Sequence, residues 1–433
     1  MRLFGTMKID EKGILSIGGC DTLKLAEEFH TPLYVMDEEL IRQNCKLFRE
    51  AFLKNGIDTE VIYASKAFLN LAICKIISEE GLALDVVSGG ELFTAMKAGF
   101  PMQKIYFHGN NKTAYELEMA IVAGVGRIVV DNKQELELIE EICKSLNKSV
   151  EILLRVNPCI EAHTHAFIQT SNNDSKFGES IFSQSLGLTI EGLMHSKHIK
   201  LKGLHCHIGS QIFEEESFYK VANVMLEFIK KLKAKHGFIT EELNLGGGFG
   251  VYYSHDDKSL DIQNCLKNVL GLIRDQAAYL NIKIPKLMIE PGRAIIANAG
   301  TTLYEVGAIK KTQGGRDYIF VDGGMSDNPR TALYDAKYEA IIANKAGAEG
   351  NMLYTIAGKC CESGDIIIKD IELPETKRGD ILAVLSTGAY NYSMSSNYNR
   401  IPRPAVVFVN DGKARLTVKR ESYDDILRND MLV

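Results

Sequence analysis

The length and composition of the chain are those of an ordinary globular protein with more than one domain. Its 433 residues exceed what one compact core usually needs, although a single barrel can use well over half of them. A net charge of −6 and a pI near 6.0 argue against nucleic acid or an anionic membrane surface as the main partner. No apolar run approaches transmembrane length, and the first residues lead into charged ones instead of a secretion signal. The 9 cysteines are scattered without a CxxC pair, which favours reduced thiols and a cytoplasmic protein.

Short apolar runs alternate with helix-length amphipathic stretches in the first two thirds of the chain. The helical patterns include residues 69–80, 113–123 and 133–146, with a later one at 218–236. Roughly eight β/α alternations predict a (β/α)8 barrel of the α/β class, which we place at residues 33–298. The predicted barrel strands are residues 61–64, 82–87, 104–107, 127–130, 150–156, 201–207, 243–245 and 286–289.

The pattern changes after Arg293 to short strand-like runs separated by turn residues. These runs predict an all-β domain over residues 299–433, with one helical insert around residues 333–343. Residues 1–32 precede the first barrel strand, and we expect them to join this second domain. The predicted strands are residues 301–309, 318–322, 354–358, 365–369, 381–385 and 405–409.

Unusual polar residues stand where the predicted barrel strands end. Lys66 follows the first strand, and a lysine at the end of a buried strand can lose solvent and charge, as a Schiff-base nucleophile must. The alternative is a solvated surface lysine. Active sites of such barrels lie at this edge, with phosphate often bound after the seventh and eighth strands. The convergence of several such residues on one edge favours an active site there.

A glycine cluster and a carboxylate follow the last two strands. Gly246, Gly247 and Gly248 would let backbone N–H groups approach a phosphate closely, or could simply form a tight turn. Glu290 ends an apolar run, so its carboxylate must be paired or protonated. Its partner could be the ring nitrogen of pyridoxal phosphate or a neighbouring arginine such as Arg293.

His205 and His207, at the end of the sixth strand, invite a metal interpretation, because both imidazoles would point to one face. No third histidine or carboxylate is expected to join them from the other strand ends, unless His163 or His165 reaches over from a long loop. We therefore predict no metal. A flat imidazole that stacks on an aromatic cofactor suits His207 better.

Four of the segments described above together resemble the alanine-racemase-type, pyridoxal-phosphate-dependent decarboxylases. They are Lys66 in residues 63–67, His207 in residues 205–211, the glycine cluster, and residues 290–293. The C-terminal half is similar to the diaminopimelate decarboxylase family in particular. The segments that carry this similarity are residues 325–334, 361–365, 388–390 and 394–399. The resemblance extends over nearly the whole chain.

The resemblance implies a role for each matching position. Lys66 would hold pyridoxal 5'-phosphate, His207 would stack on its ring and Glu290 would pair with the ring nitrogen. Phosphate contacts would come from Ser210, Gly248, Gly292 and Arg293. Substrate contacts would come from Arg293, Arg330, Tyr334, Glu362 and Tyr390, of which Tyr390 would also touch the cofactor. Cys361 would donate the proton, and Cys361 and Glu362 would reach the site from the second subunit of a homodimer.

Some positions depart from the family pattern. Cys360 precedes Cys361 where one cysteine is expected, which leaves two thiols as possible proton donors, and either thiol could instead be packed in a core. Thr331 follows Arg330 where the family usually has proline. The polar loop at residues 163–178 is long for a simple connection, and we expect it to shape the substrate pocket, although a solvated loop is the alternative.

The resemblance implies decarboxylation of meso-2,6-diaminopimelate to L-lysine and carbon dioxide, the last step of lysine biosynthesis. Two cations, Arg293 and Arg330, suit a substrate that keeps a distal carboxylate after the first is lost. A decarboxylase of ornithine, arginine or carboxynorspermidine is the nearest alternative. A silent paralogue should have lost Lys66, Glu290 or Cys361, and all three are present. A metal-dependent barrel hydrolase is the third possibility.

Overall fold

Two compact units make up the chain. The computed structural model describes residues 2–53, 56–160, 175–313 and 315–433. The barrel unit contains Cys45–Gly250 and Ser259–Gly292, and the strand-rich unit contains Met1–Asn44, Val251–Lys258 and Arg293–Val433. The α/β fold class predicted from the sequence, a (β/α)8 barrel with a β domain that takes in the N-terminal segment, is confirmed.

Eight parallel strands close the barrel unit. Each strand pairs with its neighbour in chain order, and the eighth pairs with the first, so the sheet has no free edge. The short strand Glu179–Ser180 adds to the fifth strand. In order, the barrel strands are Thr59–Ala64, Ala83–Val86, Ile105–Phe107, Arg127–Val130, Val150–Asn157, Ile199–His205, Glu242–Asn244 and Lys286–Ile289.

Amphipathic helices follow the strands of the barrel unit. Several of their N-termini are capped by short polar side chains that accept backbone N–H groups, for example Asn70, Ser88 and Thr113. No helix in the described parts of the chain combines the length and apolarity needed to cross a bilayer. The helices are Leu71–Glu79, Gly89–Lys97, Ala114–Ala123, Lys133–Leu146, Gln184–Met194, Glu215–His236 and Ile262–Leu280, and Glu38–Leu53 contributes to both units.

The interior of the barrel is filled by one apolar side chain from most strands. These buried side chains form a continuous cluster, as is typical of a packed barrel core. Because apolar side chains fill this part of the interior, it is a packed core and not an open channel. The cluster comprises Ile62, Ala83, Tyr106, Val129, Leu153 and Met288.

The strand-rich unit is built on a mainly antiparallel sheet. Leu33–Asp37 lies inside this sheet, between Gly300–Lys311 and Ala405–Asn410, whereas the sequence interpretation had assigned residue 33 onwards to the barrel. The sheet strands in spatial order are Ile366–Leu373, Met352–Ala357, Asp317–Val321, Gly300–Lys311, Leu33–Asp37, Ala405–Asn410 and Lys413–Val418. Ile381–Val384 and Ala340–Ile342 extend it, and Lys8–Ile9, Leu15–Ile17 and Cys20–Asp21 form a smaller sheet.

The helical insert predicted around residues 333–343 is wrong in its extent. The helix Arg330–Tyr334 has only five residues and ends at Asp335, which has a left-handed φ of 51°. The following Ala340–Ile342 is a strand that pairs with Ile381–Val384, because tertiary pairing of its β-branched residues outweighs the local helical pattern. The remaining helices of the unit are Thr22–Phe29, Arg293–Ile296 and Tyr423–Leu427.

Candidate active site

Polar side chains gather at the C-terminal ends of the barrel strands. Lys66 lies in the 3-10 turn Ser65–Ala67 directly after the first strand, and His108 follows the third. His205 is the last residue of the sixth strand, and Glu290 follows the eighth. Parallel strands bring these ends to the same rim of the barrel, which is where barrel enzymes place their catalytic groups.

Glu290 is buried and surrounded by donors. Its Oε2 atom lies 3.1 Å from His205 Nε2, and its Oε1 atom accepts from Asn244 Nδ2 at 2.8 Å. His108 Nε2 lies 2.7 Å from Oε1, without the alignment of a hydrogen bond. Burial alone would raise the pKa of Glu290, but the imidazoles of His108 and His205 hold this pKa well below its usual range. The carboxylate is therefore ionised.

The expectation that no third histidine or carboxylate joins His205 from another strand end is wrong. His108 follows the third strand directly, and the Glu290 carboxylate contacts His205. The nearest ligand atoms of His108, His205 and Glu290 lie within 4.8 Å of one another. In the structure these atoms are partners of one another, because each of the two imidazoles contacts one oxygen of the carboxylate. Burial also lowers the pKa of His205 to about 4, so this imidazole is neutral.

Asp85 is a second buried carboxylate of the same rim. It lies in the second barrel strand, and among the described residues its Oδ1 atom has no hydrogen-bond partner. Burial raises the pKa of Asp85 to about 7, and the negative charge of Glu290 acts in the same direction, while His108 opposes it. Two neighbouring carboxyl groups thus differ strongly in their affinity for a proton, a pattern that is common at functional sites.

The charge of Lys66 acts on the imidazole of His207. Burial lowers the pKa of His207 well below its usual value, and the charge of Lys66 contributes to the same shift. The Nδ1 atom of His207 accepts the N–H of Gly247 at 3.3 Å, which fixes the plane of the ring. In the single chain the Lys66 side chain is exposed, whereas the sequence interpretation had expected an amine able to lose solvent.

The glycine cluster is required by the close packing of backbone around it. A Cβ atom on Gly247 would lie 2.1 Å from the carbonyl oxygen of Glu290, and one on Gly248 would lie 2.4 Å from that of Gly209. Gly248 also has a φ of 106°, which other residues rarely adopt. The N–H of Gly246 is bonded to the Asn244 side chain and that of Gly247 to His207. Among the described residues the N–H of Gly248 has no acceptor, so it can serve a ligand.

A cluster of arginines and tyrosines lies in the strand-rich unit. Arg293 donates from Nη1 to the Tyr253 hydroxyl at 2.8 Å, and its Cζ atom lies 4.7 Å from the centre of the Tyr390 ring. Arg330 donates from Nη1 to the Tyr338 hydroxyl at 2.7 Å. Both arginines are less than 10% exposed, at 9% and 7%. Within the described parts of the chain Arg330 forms no ion pair with a carboxylate, so this buried cation lacks a negative partner.

Comparison of the sequence with known proteins and comparison of the fold with solved structures identify the same family. Residues 38–297 match the model of the pyridoxal-dependent decarboxylase family, pyridoxal binding domain. The chain is 50% identical over 431 residues to the diaminopimelate decarboxylase of Bacillus subtilis, with 100% of this chain and 98% of that protein covered. The chain belongs to the diaminopimelate decarboxylase family.

Solved structures support this family assignment. Diaminopimelate decarboxylase from M. jannaschii in co-complex with L-lysine superposes with a TM-score of 0.91 at 36% identity, covering 99% of this chain and 98% of that one. The Helicobacter pylori enzyme complexed with L-lysine gives a TM-score of 0.86 at 31% identity, covering 94% and 98%. The family resemblance stated from the sequence is confirmed, and the chain is pyridoxal-phosphate-dependent like its family.

The residues that match the remaining family positions lie in the strand-rich unit. Cys361 is exposed, and its N–H is bonded to the Asn399 side chain at 2.7 Å, whereas Cys360 is buried. Burial raises the pKa of the Cys360 thiol. Glu362 is exposed and Tyr334 is half-buried at the end of the helix Arg330–Tyr334. The two adjacent thiols therefore have very different environments.

Several residues that contact the candidate side chains of each unit were not identified from the sequence. His108 could have been found by the rule that identified Lys66, because both follow a barrel strand directly. Asn244 and Tyr253 carry no comparable signal. Residues 163–174 of the loop predicted to shape the substrate pocket lie outside the described residues, and only residues 175–178 can be placed. There, Phe177 lies 4.2 Å from the Arg155 guanidinium, and the Gly178 N–H is bonded to Asp131.

Proposed function

We propose that the chain removes one carboxylate of meso-2,6-diaminopimelate and releases L-lysine and carbon dioxide. The observation that carries this function is the ionised, buried Glu290, which is held by two imidazoles at the rim of a barrel whose first strand is followed by Lys66. A carboxylate maintained in this way is suited to pair with a protonated pyridine nitrogen. The assignment of the substrate follows the family of the chain.

The residues of the barrel rim fit pyridoxal 5'-phosphate. Lys66 supplies the amine that attaches the cofactor, and Glu290 supplies the charge for its ring nitrogen. His207, whose plane is fixed by Gly247, provides a flat surface for the ring. Gly248 offers an N–H and a surface without a side chain to the phosphate, together with Ser210, Gly292 and Arg293. The bound cofactor stabilises the electron pair left when carbon dioxide departs.

The arginines supply recognition of the carboxylate that the product keeps. Arg330 is a buried cation with phenols as neighbours and no carboxylate partner in the described residues, which suits a site completed by an anionic substrate. In this proposal Arg293, Arg330 and Tyr334 bind the distal carboxylate. Glu362 binds the substrate's amino group, and Tyr390 contacts both cofactor and substrate.

Cys361 is the proposed proton donor to the carbon that loses carbon dioxide. Its thiol is exposed in the single chain, whereas the Cys360 thiol is buried and less acidic than usual. An exposed donor agrees with a homodimer in which Cys361 and Glu362 complete the site of the partner subunit. All 9 cysteines are free, which agrees with a protein of the cytoplasm.

Product analysis tests this function directly. The wild-type enzyme with added pyridoxal phosphate is incubated separately with meso-diaminopimelate, ornithine, arginine and carboxynorspermidine. We expect L-lysine and carbon dioxide from meso-diaminopimelate alone. The Lys66→Ala variant should lose this activity and should retain no cofactor after borohydride reduction. Lys133→Ala, which removes an exposed lysine just after the fourth barrel strand, is the matched control and should behave as wild type.

The other outcomes discriminate between the alternatives. Turnover of ornithine, arginine or carboxynorspermidine in place of diaminopimelate would overturn the assignment of the substrate but keep the reaction type. Retention of the cofactor without turnover of any substrate would indicate a silent paralogue. Bound zinc without covalently attached cofactor would contradict the proposed chemistry altogether.

A further inference from the structure

We propose that Tyr253 is a positioning residue that fixes the guanidinium groups of Arg293 and Arg330 for the distal carboxylate of the substrate. The inference rests on the proposed function, because that function assigns the two arginines to the carboxylate. Neither the sequence pattern nor the family resemblance pointed to Tyr253.

The first support is the set of contacts around the Tyr253 ring. Its hydroxyl accepts a hydrogen bond of 2.8 Å from Nη1 of Arg293, and the Cζ atom of Arg330 lies 4.9 Å from the ring centre. The Tyr338 ring packs edge-on against it at 5.6 Å and holds Arg330 through its own hydroxyl. One phenol therefore contacts both cations: its oxygen accepts from Arg293, and the Cζ atoms of Arg293 and Arg330 lie 5.8 Å and 4.9 Å from its ring centre.

Electrostatics explains why such a residue is needed. Two buried guanidinium groups near each other repel, and each also loses hydration energy. An oxygen acceptor and the negative face of an aromatic ring offset part of this cost. Burial raises the pKa of Tyr253, but the charges of Arg293 and Arg330 outweigh burial and leave this pKa below its usual value. The phenol oxygen is thus polarised strongly toward the cations.

The segment that carries Tyr253 is itself held in place. The Asp257 carboxylate accepts the N–H groups of Tyr253 at 2.8 Å and of Ser254 at 2.9 Å. Tyr253 is 5% exposed, so its ring has little freedom to turn. A fixed phenol in contact with two cations sets their positions before substrate binds, and preorganisation of this kind lowers the cost of binding.

The neighbouring residue provides a matched control. Tyr252 has the same phenol one position earlier, but its hydroxyl donates to a carboxylate oxygen of Glu339 at 2.7 Å. Removing that hydroxyl deletes a hydrogen bond of similar length without touching the arginines. A comparison of Tyr253→Phe with Tyr252→Phe therefore isolates the bond to the guanidinium group.

The test uses the full-length enzyme loaded with pyridoxal phosphate. KM and kcat are measured for meso-diaminopimelate, together with the inhibition constants of L-lysine and of cadaverine, a diamine that has no carboxylate. In Tyr253→Phe we expect KM and the L-lysine inhibition constant to rise about tenfold, as for loss of one hydrogen bond to a charged group. The cadaverine constant and kcat should change much less. Tyr252→Phe should match wild type in all four quantities.

Each outcome bears on one claim. A Tyr253→Phe enzyme with an unchanged L-lysine constant, or with L-lysine and cadaverine constants raised equally, overturns the positioning role. A wild-type enzyme without activity on diaminopimelate overturns the proposed function instead, and the inference with it. Inhibition constants do not depend on the concentration of active enzyme, so the comparison remains valid if Tyr253→Phe is less stable.

Discussion

The Nε2 atom of His108 lies 2.7 Å from the Oε1 atom of Glu290, and this contact lowers the proton affinity of the carboxylate. The residues are far apart in the chain and meet because the third and eighth barrel strands end at the same rim. Together with His205, His108 keeps Glu290 ionised in a buried site where burial alone would favour the protonated form.

We expect His108→Asn to weaken cofactor binding by roughly tenfold or more, since the close contact that helps to keep Glu290 ionised is lost. The pKa of Glu290 should rise in this variant, because a group that lowers it is removed. The acid limb of cofactor affinity, measured by fluorescence titration at several pH values, should therefore move to higher pH. His236→Asn removes an imidazole that contacts Glu191 at 2.6 Å in the surface helices, and it serves as the control. An unmoved acid limb in His108→Asn would contradict the role of His108.

The buried Asp85 predicts a specific pH dependence of stability. Its pKa is raised by burial from 3.8 to about 7, so folding takes up a proton in this range. A raised carboxyl pKa means that stability is lost as pH rises from about 4 to about 7, by roughly 4 kcal/mol at most for one group. Asp85→Asn removes this loss. Its free energy of unfolding should increase relative to wild type over that range, as measured by denaturant titration, and a difference that is flat with pH would refute the shift.

The glycine cluster predicts a contrast between two Gly→Ala substitutions. Alanine at position 247 would place its Cβ atom 2.1 Å from a backbone oxygen that cannot move easily. We expect Gly247→Ala to lose most cofactor binding and to unfold at lower temperature. Gly271 lies in the helix Ile262–Leu280 with open space around it, so the Gly271→Ala variant should gain up to about 1 kcal/mol in stability. Thermal unfolding and cofactor content measure both, and equal behaviour of the two variants would contradict the packing argument.

The cysteine pair predicts different consequences for adjacent substitutions. Cys361→Ala should lower kcat about 100-fold, the low end of what a general acid contributes, with little effect on thermal stability because the thiol is exposed. Cys360→Ala should retain activity but unfold at lower temperature, because a buried side chain is shortened. Unchanged turnover in Cys361→Ala would rule out the donor role, and a large loss of turnover in Cys360→Ala would move that role to Cys360.

Strand-end residues are the part of the candidate site that can be read most directly from the sequence. A lysine, a glycine cluster and a glutamate after buried runs are visible in one dimension, because a barrel brings every strand end to the same rim. The identities of their partners are not visible in this way. The sequence predicts a cofactor or an arginine as the partner of Glu290, but it does not reveal that His108, His205 and Asn244 also contact this carboxylate in the barrel unit.

The strand-rich unit was harder to predict because its contacts join distant segments. Tyr253 lies in a short segment after the seventh barrel strand, and only tertiary structure brings Arg293 and Arg330 to it. The strand Ala340–Ile342 was taken for helix for the same reason, since its pairing partner at Ile381–Val384 lies well downstream. Local periodicity does not encode such pairings.

The position of Leu33–Asp37 has a consequence for synthesis on the ribosome. This fully buried strand is translated before the barrel, but both of its neighbours, Gly300–Lys311 and Ala405–Asn410, emerge only after the barrel segments are complete. An apolar strand with unpaired edges is prone to associate with other chains. Throughout translation of the barrel the nascent chain must therefore carry this strand without its partners.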